Sequence, residues 1–389
     1  MDEKKIGMEL VYLTEINIIR VRHLRNIRIE LSKSEKKHLL LTGINGCGKT
    51  SVLNAIKFAA FHGKSFAGSD WMELELNSSY DMIEIKSNIS IDGKDMYKLY
   101  QEGRFMFIYF PANRKFSVET PKATGSTDIQ ETKRCDERMN VSFGQFLVQL
   151  YVEKLFANEK CETEKVGDIE RWFDWLQNAM RELFDDQQLI LDLSIEDMCF
   201  KIKLPDREAF GLEQMASGYE ALFDIFTEIV IRMERQAHLK YDLPGIVLID
   251  EIELHLHVAW QKRILPFLVN VFPNIQFIVA THSPFVVSSI ETAVIYDMGK
   301  NILIEDLSAY SYECLVDSLF DTALFSDAMG DKYKRYLELV NIGGERNASE
   351  DRELTELIQY FQKIPIFMAK DIILDFQKTE RQRRYGKDK

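Results

Sequence analysis

His38-Leu39-Leu40-Leu41-Thr42-Gly43-Ile44-Asn45-Gly46-Cys47-Gly48-Lys49-Thr50-Ser51 is the stretch on which the fold turns. A mostly apolar run enters it, a glycine-rich loop closes on Lys49-Thr50, and Ser51-Val52-Leu53-Asn54-Ala55-Ile56 leaves with helical periodicity. Strand, loop and helix in that order are the setting of a phosphate-binding loop with G-x-x-x-x-G-K-T spacing. The glycines let successive backbone N–H groups close around a polyphosphate where side chains would block the approach. Lys49 then reaches the outer phosphates and Thr50 offers its hydroxyl to magnesium. Taken alone, the loop also fits an ordinary strand-to-helix turn.

Two later stretches narrow the choice. Ile246-Val247-Leu248-Ile249-Asp250-Glu251 reads as a buried parallel strand that delivers two carboxylates at its C-terminal edge, where α/β sheets bind ligands. Asp250 suits the metal shell, and Glu251 suits the base that polarises an attacking water. Asn274-Ile275-Gln276-Phe277-Ile278-Val279-Ala280-Thr281-His282-Ser283-Pro284 reads as another buried strand, whose polar end brings His282 beside the phosphates. An α/β nucleotide-hydrolysing fold is the expectation.

These motifs, in this order, resemble the ABC-type ATPase head. Together with Ile16-Asn17-Ile18-Ile19-Arg20-Val21-Arg22-His23-Leu24-Arg25-Asn26-Ile27 and Glu253-Leu254-His255-Leu256-His257, they look like the SMC-like and overcoming-lysogenization-defect-like bacterial ATPases, including heads of phage-defence systems of the PARIS, Septu and Gabija types. The resemblance implies ATP and Mg2+ as cofactors, with Asn45, Gly46, Cys47, Gly48, Lys49, Thr50 and Ser51 contacting the nucleotide and Thr50 and Asp250 holding the metal. Glu251, His282 and Lys49 are the implied catalytic set, Arg25 the residue packing on the base, and Glu253 to His257 the turn meeting an opposite subunit. Met215-Ala216-Ser217-Gly218-Tyr219 matches the signature loop, which meets the partner's ATP through a helix N-terminus. It departs from pattern, since Ala216 stands where the serine belongs and Ser217 is shifted by one. The glutamine that should follow Phe105-Met106-Phe107-Ile108-Tyr109-Phe110 is also missing, with Asn113-Arg114 in its place.

Composition bounds the partners. With 389 residues, 46% hydrophobic and 8 prolines, the chain can bury a full core. Its 49 Lys plus Arg against 62 Asp plus Glu leave a net charge of −13, which opposes indiscriminate binding to nucleic acid. No run approaches the roughly twenty apolar residues that span a bilayer, and Met1-Asp2-Glu3-Lys4-Lys5 leads into no signal-like core. A cytoplasmic location without a membrane partner is expected. The 5 cysteines have no Cys-x-x-Cys spacing and suit a reducing compartment. Cys47 is read as a tolerated small residue, with oxidation of the loop as the sharper alternative.

The expected organisation is residues 1–116 for the first part of the head, with phosphate loop and β subdomain. Residues 117–188 follow as a polar loop and helical insertion, 189–310 as the second part of the head, and 311–389 as a C-terminal helical segment. Segments around Met82–Ser87 and Met96–Tyr100 alternate and predict an antiparallel sheet. Phe143 to Phe184 predicts two helices, too short for a DNA-tethering arm since paired helices of that length reach only about 35 Å. Leu189 to Leu193 and Cys199 to Leu204 read as strands, and a helix runs from the signature to about Arg235. Amphipathic helices are expected from Thr322 to Leu339, interrupted at Gly330, and from Asp351 to Thr379, broken near Pro365.

Other readings remain beside these. His255 and His257 tempt a metal site, but their spacing is not that of helical ligands. The basic end from Arg381 to Lys389 fits a nucleic-acid contact or, more plainly, an exposed helix terminus. Trp172 and Trp175 read as packing before base stacking. No histidine follows His282, so an HNH nuclease is not expected in the chain itself. The expected function is an ATP-driven switch that closes as a homodimer or higher homo-oligomer and controls a separate effector such as a nuclease. Nucleic acid is a possible but unrequired partner. The alternative is an SMC-like DNA-repair or DNA-end-binding ATPase.

Overall fold

The structure is a computed structural model that describes residues 10–62, 82–89, 93–114, 118–119, 135–215, 217–236, 238–239, 241–305, 307, 315, 327–342, 346–365 and 369–385. The chain divides into two compact units, Met1–Tyr312 and Glu313–Lys389. The polar stretch at Ser117–Glu137, the start of the helix expected from Thr322, Ala216 and the last four residues of the basic end lie wholly or mostly outside the described residues.

Five parallel strands organise the first unit: β3 (His38–Thr42), β5 (Met106–Phe110), β9 (Gly245–Asp250), β10 (Ile275–Ala280) and β11 (Ala293–Asp297). With β12 (Ile302–Glu305) antiparallel at one edge, the order is β12-β11-β3-β10-β9-β5, a mixed sheet. Each of the five is buried along its whole length, as expected of parallel strands covered on both faces. The register pairs Leu41 with Ala280, Ala280 with Asp250, Ile249 with Phe110 and Thr42 with Asp297. All five strands therefore end at one level, and the loops leaving them share one edge.

On one face, Leu39, Leu41, Ile246, Leu248, Ile278 and Ala280 pack with Val52, Leu53 and Ile56 of α1 (Lys49–His62). Truncating one such leucine to alanine removes about 2–5 kcal/mol. The same core takes in Ile16, Ile18, Ile27, Ile29 and Ile83 of an antiparallel sheet ordered β2-β1-β4, built from β1 (Leu13–Val21), β2 (Leu24–Glu30) and β4 (Met82–Ser87). Met96–Tyr100 belongs to this core but not to that sheet. That segment lies in α2 (Gly93–Gln101), where Met96 and Tyr100, four apart, are both buried. The i,i+4 spacing wins over the alternation.

The two helices of the expected insertion are α3 (Phe143–Glu159) and α4 (Thr163–Phe184). They lie against the head rather than projecting from it. Trp172 is fully buried, and Trp175 stacks at 4.8 Å on Tyr241 and meets Phe226 and Phe272. A third sheet, β6 (Ile190–Ser194), β7 (Cys199–Lys203) and β8 (Phe210–Gly211), leads to α5 (Ser217–Gln236). The short helices α6 (Val258–Gln261), α7 (Ile264–Val271) and α8 (Pro284–Val287) also lie in this unit.

The second unit contains α9 (Asp327–Ile342), α10 (Ala348–Gln362) and α11 (Lys370–Tyr385) around Tyr336, Leu339, Leu354, Phe361, Ile373 and Phe376. The helix α9 runs through Gly330 without the expected interruption, because an internal glycine weakens a helix by only about 1 kcal/mol relative to alanine. The break before α11 falls around Pro365. Asn347 and Glu350 close a reciprocal cap at the start of α10.

Candidate functional site at the sheet edge

Gly43, Gly46 and Gly48 take φ values of 129°, 81° and 104°, which side chains rarely adopt. A Cβ at Gly43 would lie 3.0 Å from the Gly299 nitrogen, and one at Gly48 would lie 3.0 Å from Leu24 Cδ1. The loop therefore packs against the β1–β2 hairpin. Arg25 is the second residue of β2, with its guanidinium on the carbonyls of Arg22 and Leu24. Lys49 is buried, and its Nζ donates to Gly43 O at 2.9 Å and Ile44 O at 3.3 Å, with Cys47 Sγ at 3.6 Å. Its charge rests on neutral acceptors inside an otherwise donor-rich loop.

Thr50 Oγ1 donates to Asp250 Oδ2 at 2.8 Å, joining the loop to β9. The second carboxylate oxygen, Oδ1, is buried and has no hydrogen-bond partner among the described residues. Burial raises the Asp250 pKa above the usual carboxylate range, opposed by the Thr50 hydrogen bond and the charges of Arg114 and Lys49. A hydroxyl and a half-satisfied carboxylate side by side are the donor set of a hard divalent cation. Glu251 follows with φ +48°, a left-handed conformation that costs a residue with a Cβ roughly 1–2 kcal/mol. Its half-exposed carboxylate carries no hydrogen bond among the described residues.

His282 leaves β10 at the same edge and is half-buried. Burial and the Lys49 charge lower its pKa, so the ring is neutral at neutral pH. Glu253 anchors this turn by accepting from Thr281 Oγ1 at 2.7 Å and from the His282 backbone N–H, while Ser283 Oγ donates to Gln261 at 2.7 Å. Within the chain, Glu253 thus faces the end of β10 rather than standing free with the rest of its turn. His257 caps α6 through Nδ1, and His255 and His257 are exposed.

Gly218 lies in the first turn of α5, and outside its own helix and chain neighbours no described residue comes within 4 Å of where its Cβ would be. Tyr219 stacks on Phe184 at 4.8 Å. No hydrogen bond or ion pair among the described residues joins Gly218 to the phosphate loop. The strand register and the Thr50–Asp250 hydrogen bond therefore bring Lys49, Thr50, Asp250, Glu251 and His282 to one edge.

In the sequence, Arg114 stands out only as a departure from pattern. It is 7% exposed, with Nη1 donating to Asp250 O at 2.7 Å and Nη2 to Glu251 O at 2.9 Å. Burial lowers its pKa to about 10, which leaves it charged. Behind it, Arg138 pairs with the buried Asp224 of α5 at 3.1 Å, and Asn140 donates to the same carboxylate at 2.8 Å. An arginine a few residues after a wholly apolar strand is the available signal.

The family model described as AAA domain matches residues 15–229, more than half of the chain. Septu protein PtuA of Bacillus mycoides (strain KBAB4) is 25% identical over 93% of this chain and 52% of its own length, so the chain spans about half of that relative. The "Retron Vc95 probable ATPase" of Vibrio cholerae serotype O1 biovar El Tor is 23% identical over 74% of this chain and 76% of that protein. Among solved structures, an SMC head bound to the C-winged helix domain of ScpA aligns with 77% of this chain and 99% of that chain, at 15% identity and a TM-score of 0.42.

Proposed function

The chain belongs to the AAA-domain family, and we propose that it hydrolyses ATP with magnesium, closes head to head as a homodimer, and thereby controls a separate effector, such as a nuclease, in defence against phage. The observation that carries the reading is the shared edge on which the Thr50–Asp250 contact at 2.8 Å lies beside Lys49, Glu251 and His282. Similarity to a Septu protein and to a retron ATPase supports the defence context.

Thr50 and Asp250 would hold magnesium, as an Oδ1 with no partner among the described residues fits a cation, and a bound ion would supply neutralisation of phosphate charge. Lys49 exchanges its loop carbonyls for phosphate oxygens, a stronger charge-assisted contact. Glu251, whose carboxylate has no hydrogen bond among the described residues, takes a proton from water. Neutral His282 donates a ring N–H toward the outer phosphate. The open backbone at Gly218 supports a contact made across a dimer, with a helix N-terminus facing the partner's nucleotide.

The test pairs two variants. Lys49→Ala is expected to lose ATP binding. Glu251→Gln is expected to keep it, lower turnover by about 10²–10⁴-fold and elute as a dimer when ATP is present. Normal turnover in Glu251→Gln refutes the assignment of the base, and a monomer under those conditions refutes the closed dimer.

A further inference from the structure

We propose that Arg114 is a positioning residue of this ATPase: its guanidinium fork holds the two carbonyls that flank the Cα of Glu251 and so fixes the turn from which that carboxylate projects. The inference rests on the proposed role of Glu251. The oxygens of Asp250 and Glu251 belong to the peptide groups on either side of one Cα, and each receives its own N–H from the same planar group, at 2.7 and 2.9 Å. Holding both peptide planes fixes both dihedrals between them. The dihedral that needs holding is the unusual one, φ +48° at a residue that is not glycine.

The fork does this out of water. Arg114 forms no ion pair among the described residues, although it is 7% exposed, so its donors are committed to backbone oxygens rather than to an acid. Asp224 supplies the largest compensating field, and its own carboxylate is held by Arg138 and Asn140. A glutamine in this position would offer one amide with two donors and no charge. A lysine would offer the charge at a single nitrogen. Two carbonyls at fixed separation match the arginine.

Arg114→Lys and Arg114→Gln separate this role from a structural one by steady-state hydrolysis. Both are expected to bind ATP with KM within about threefold of the parent while kcat falls at least about thirtyfold, with no rescue by lysine. In single-turnover assays on the Glu251→Gln background, Arg114→Lys should change the residual rate by less than about twofold, because the group it positions is gone. Rescue of kcat by lysine overturns the proposal, since charge alone would then suffice. So does a full multiplicative loss on the Glu251→Gln background. Parallel loss of ATP affinity and kcat, or failure of both variants to fold, makes Arg114 structural and also overturns it. An inert parent protein would instead sink the functional reading itself.

Discussion

Replacing Asp250 by asparagine should move stability in opposite directions with and without nucleotide. The carboxylate is 2% exposed, with one oxygen on Thr50 at 2.8 Å and the other without a partner among the described residues. The nearby cations are engaged elsewhere, with Lys49 on Gly43 and Ile44 and Arg114 on backbone oxygens. Because the folded pKa is raised, folding favours the protonated form, and the contribution present below the unfolded pKa is lost as pH rises through the folded one. At pH 7 the charge is therefore a net cost to the nucleotide-free fold. An unsatisfied buried polar atom costs about 1–3 kcal/mol, more when charged, and the amide leaves a neutral one in its place, so a net gain of about 1 kcal/mol follows. For a unit of this size that is about 2–3 °C in melting temperature.

With magnesium and ATP at about a hundredfold over Kd, the parent should gain about 2.7 kcal/mol, while Asp250→Asn gains little because the metal loses its anionic ligand. Differential scanning fluorimetry in EDTA and then in magnesium with ATP reads both effects from one pair of samples. The variant should melt higher than the parent in the first buffer and lower in the second. A variant that melts lower in EDTA, or gains as much from magnesium and ATP as the parent, refutes the reasoning.

Two further expectations concern the scaffold. His38 is buried, its Nδ1 accepts from Phe277 N at 3.0 Å, and burial pushes its pKa down to about 3. From pH 6.5 toward 3 the unfolded chain binds a proton that the fold refuses, so unfolding free energy should fall by up to about 1.4 kcal/mol per pH unit, and urea titrations of His38→Gln should lose that slope; an equal slope would count against the buried neutral ring. Gly330→Ala should raise the stability of the helical unit by about 0.5–1 kcal/mol, since its φ is ordinary for a helix and a Cβ meets nothing within 4 Å; a lower denaturation midpoint would contradict a continuous α9.

Short segments carry the chemistry that is legible in the sequence. The glycines at 43, 46 and 48 mark a loop because the backbone there needs conformations that other residues resist. Ile246 to Ile249 ending in Asp250-Glu251 marks a buried strand with a carboxylate-bearing end, since length, burial and terminal charge are local properties. Met96–Tyr100 is not legible in this way, because five residues of mixed polarity satisfy both periods and burial alone chooses the helix.

The amino-acid sequence by itself therefore determined the parts: the loop, the strand ends, the acid pair and the histidine, each specified by dihedral preference and hydrophobic period within a few residues. Only the tertiary structure decided how they meet. The parallel register sets the ends of β3, β9 and β10 at one level, and Arg114 reaches carbonyls 136 and 137 residues away. Trp175 finds Tyr241 and Phe272, which turns two helices that read as an insertion into part of the head. Such contacts leave no mark in spacing along the chain, because burial and hydrogen bonding between distant segments are settled when the sheet and its helices pack.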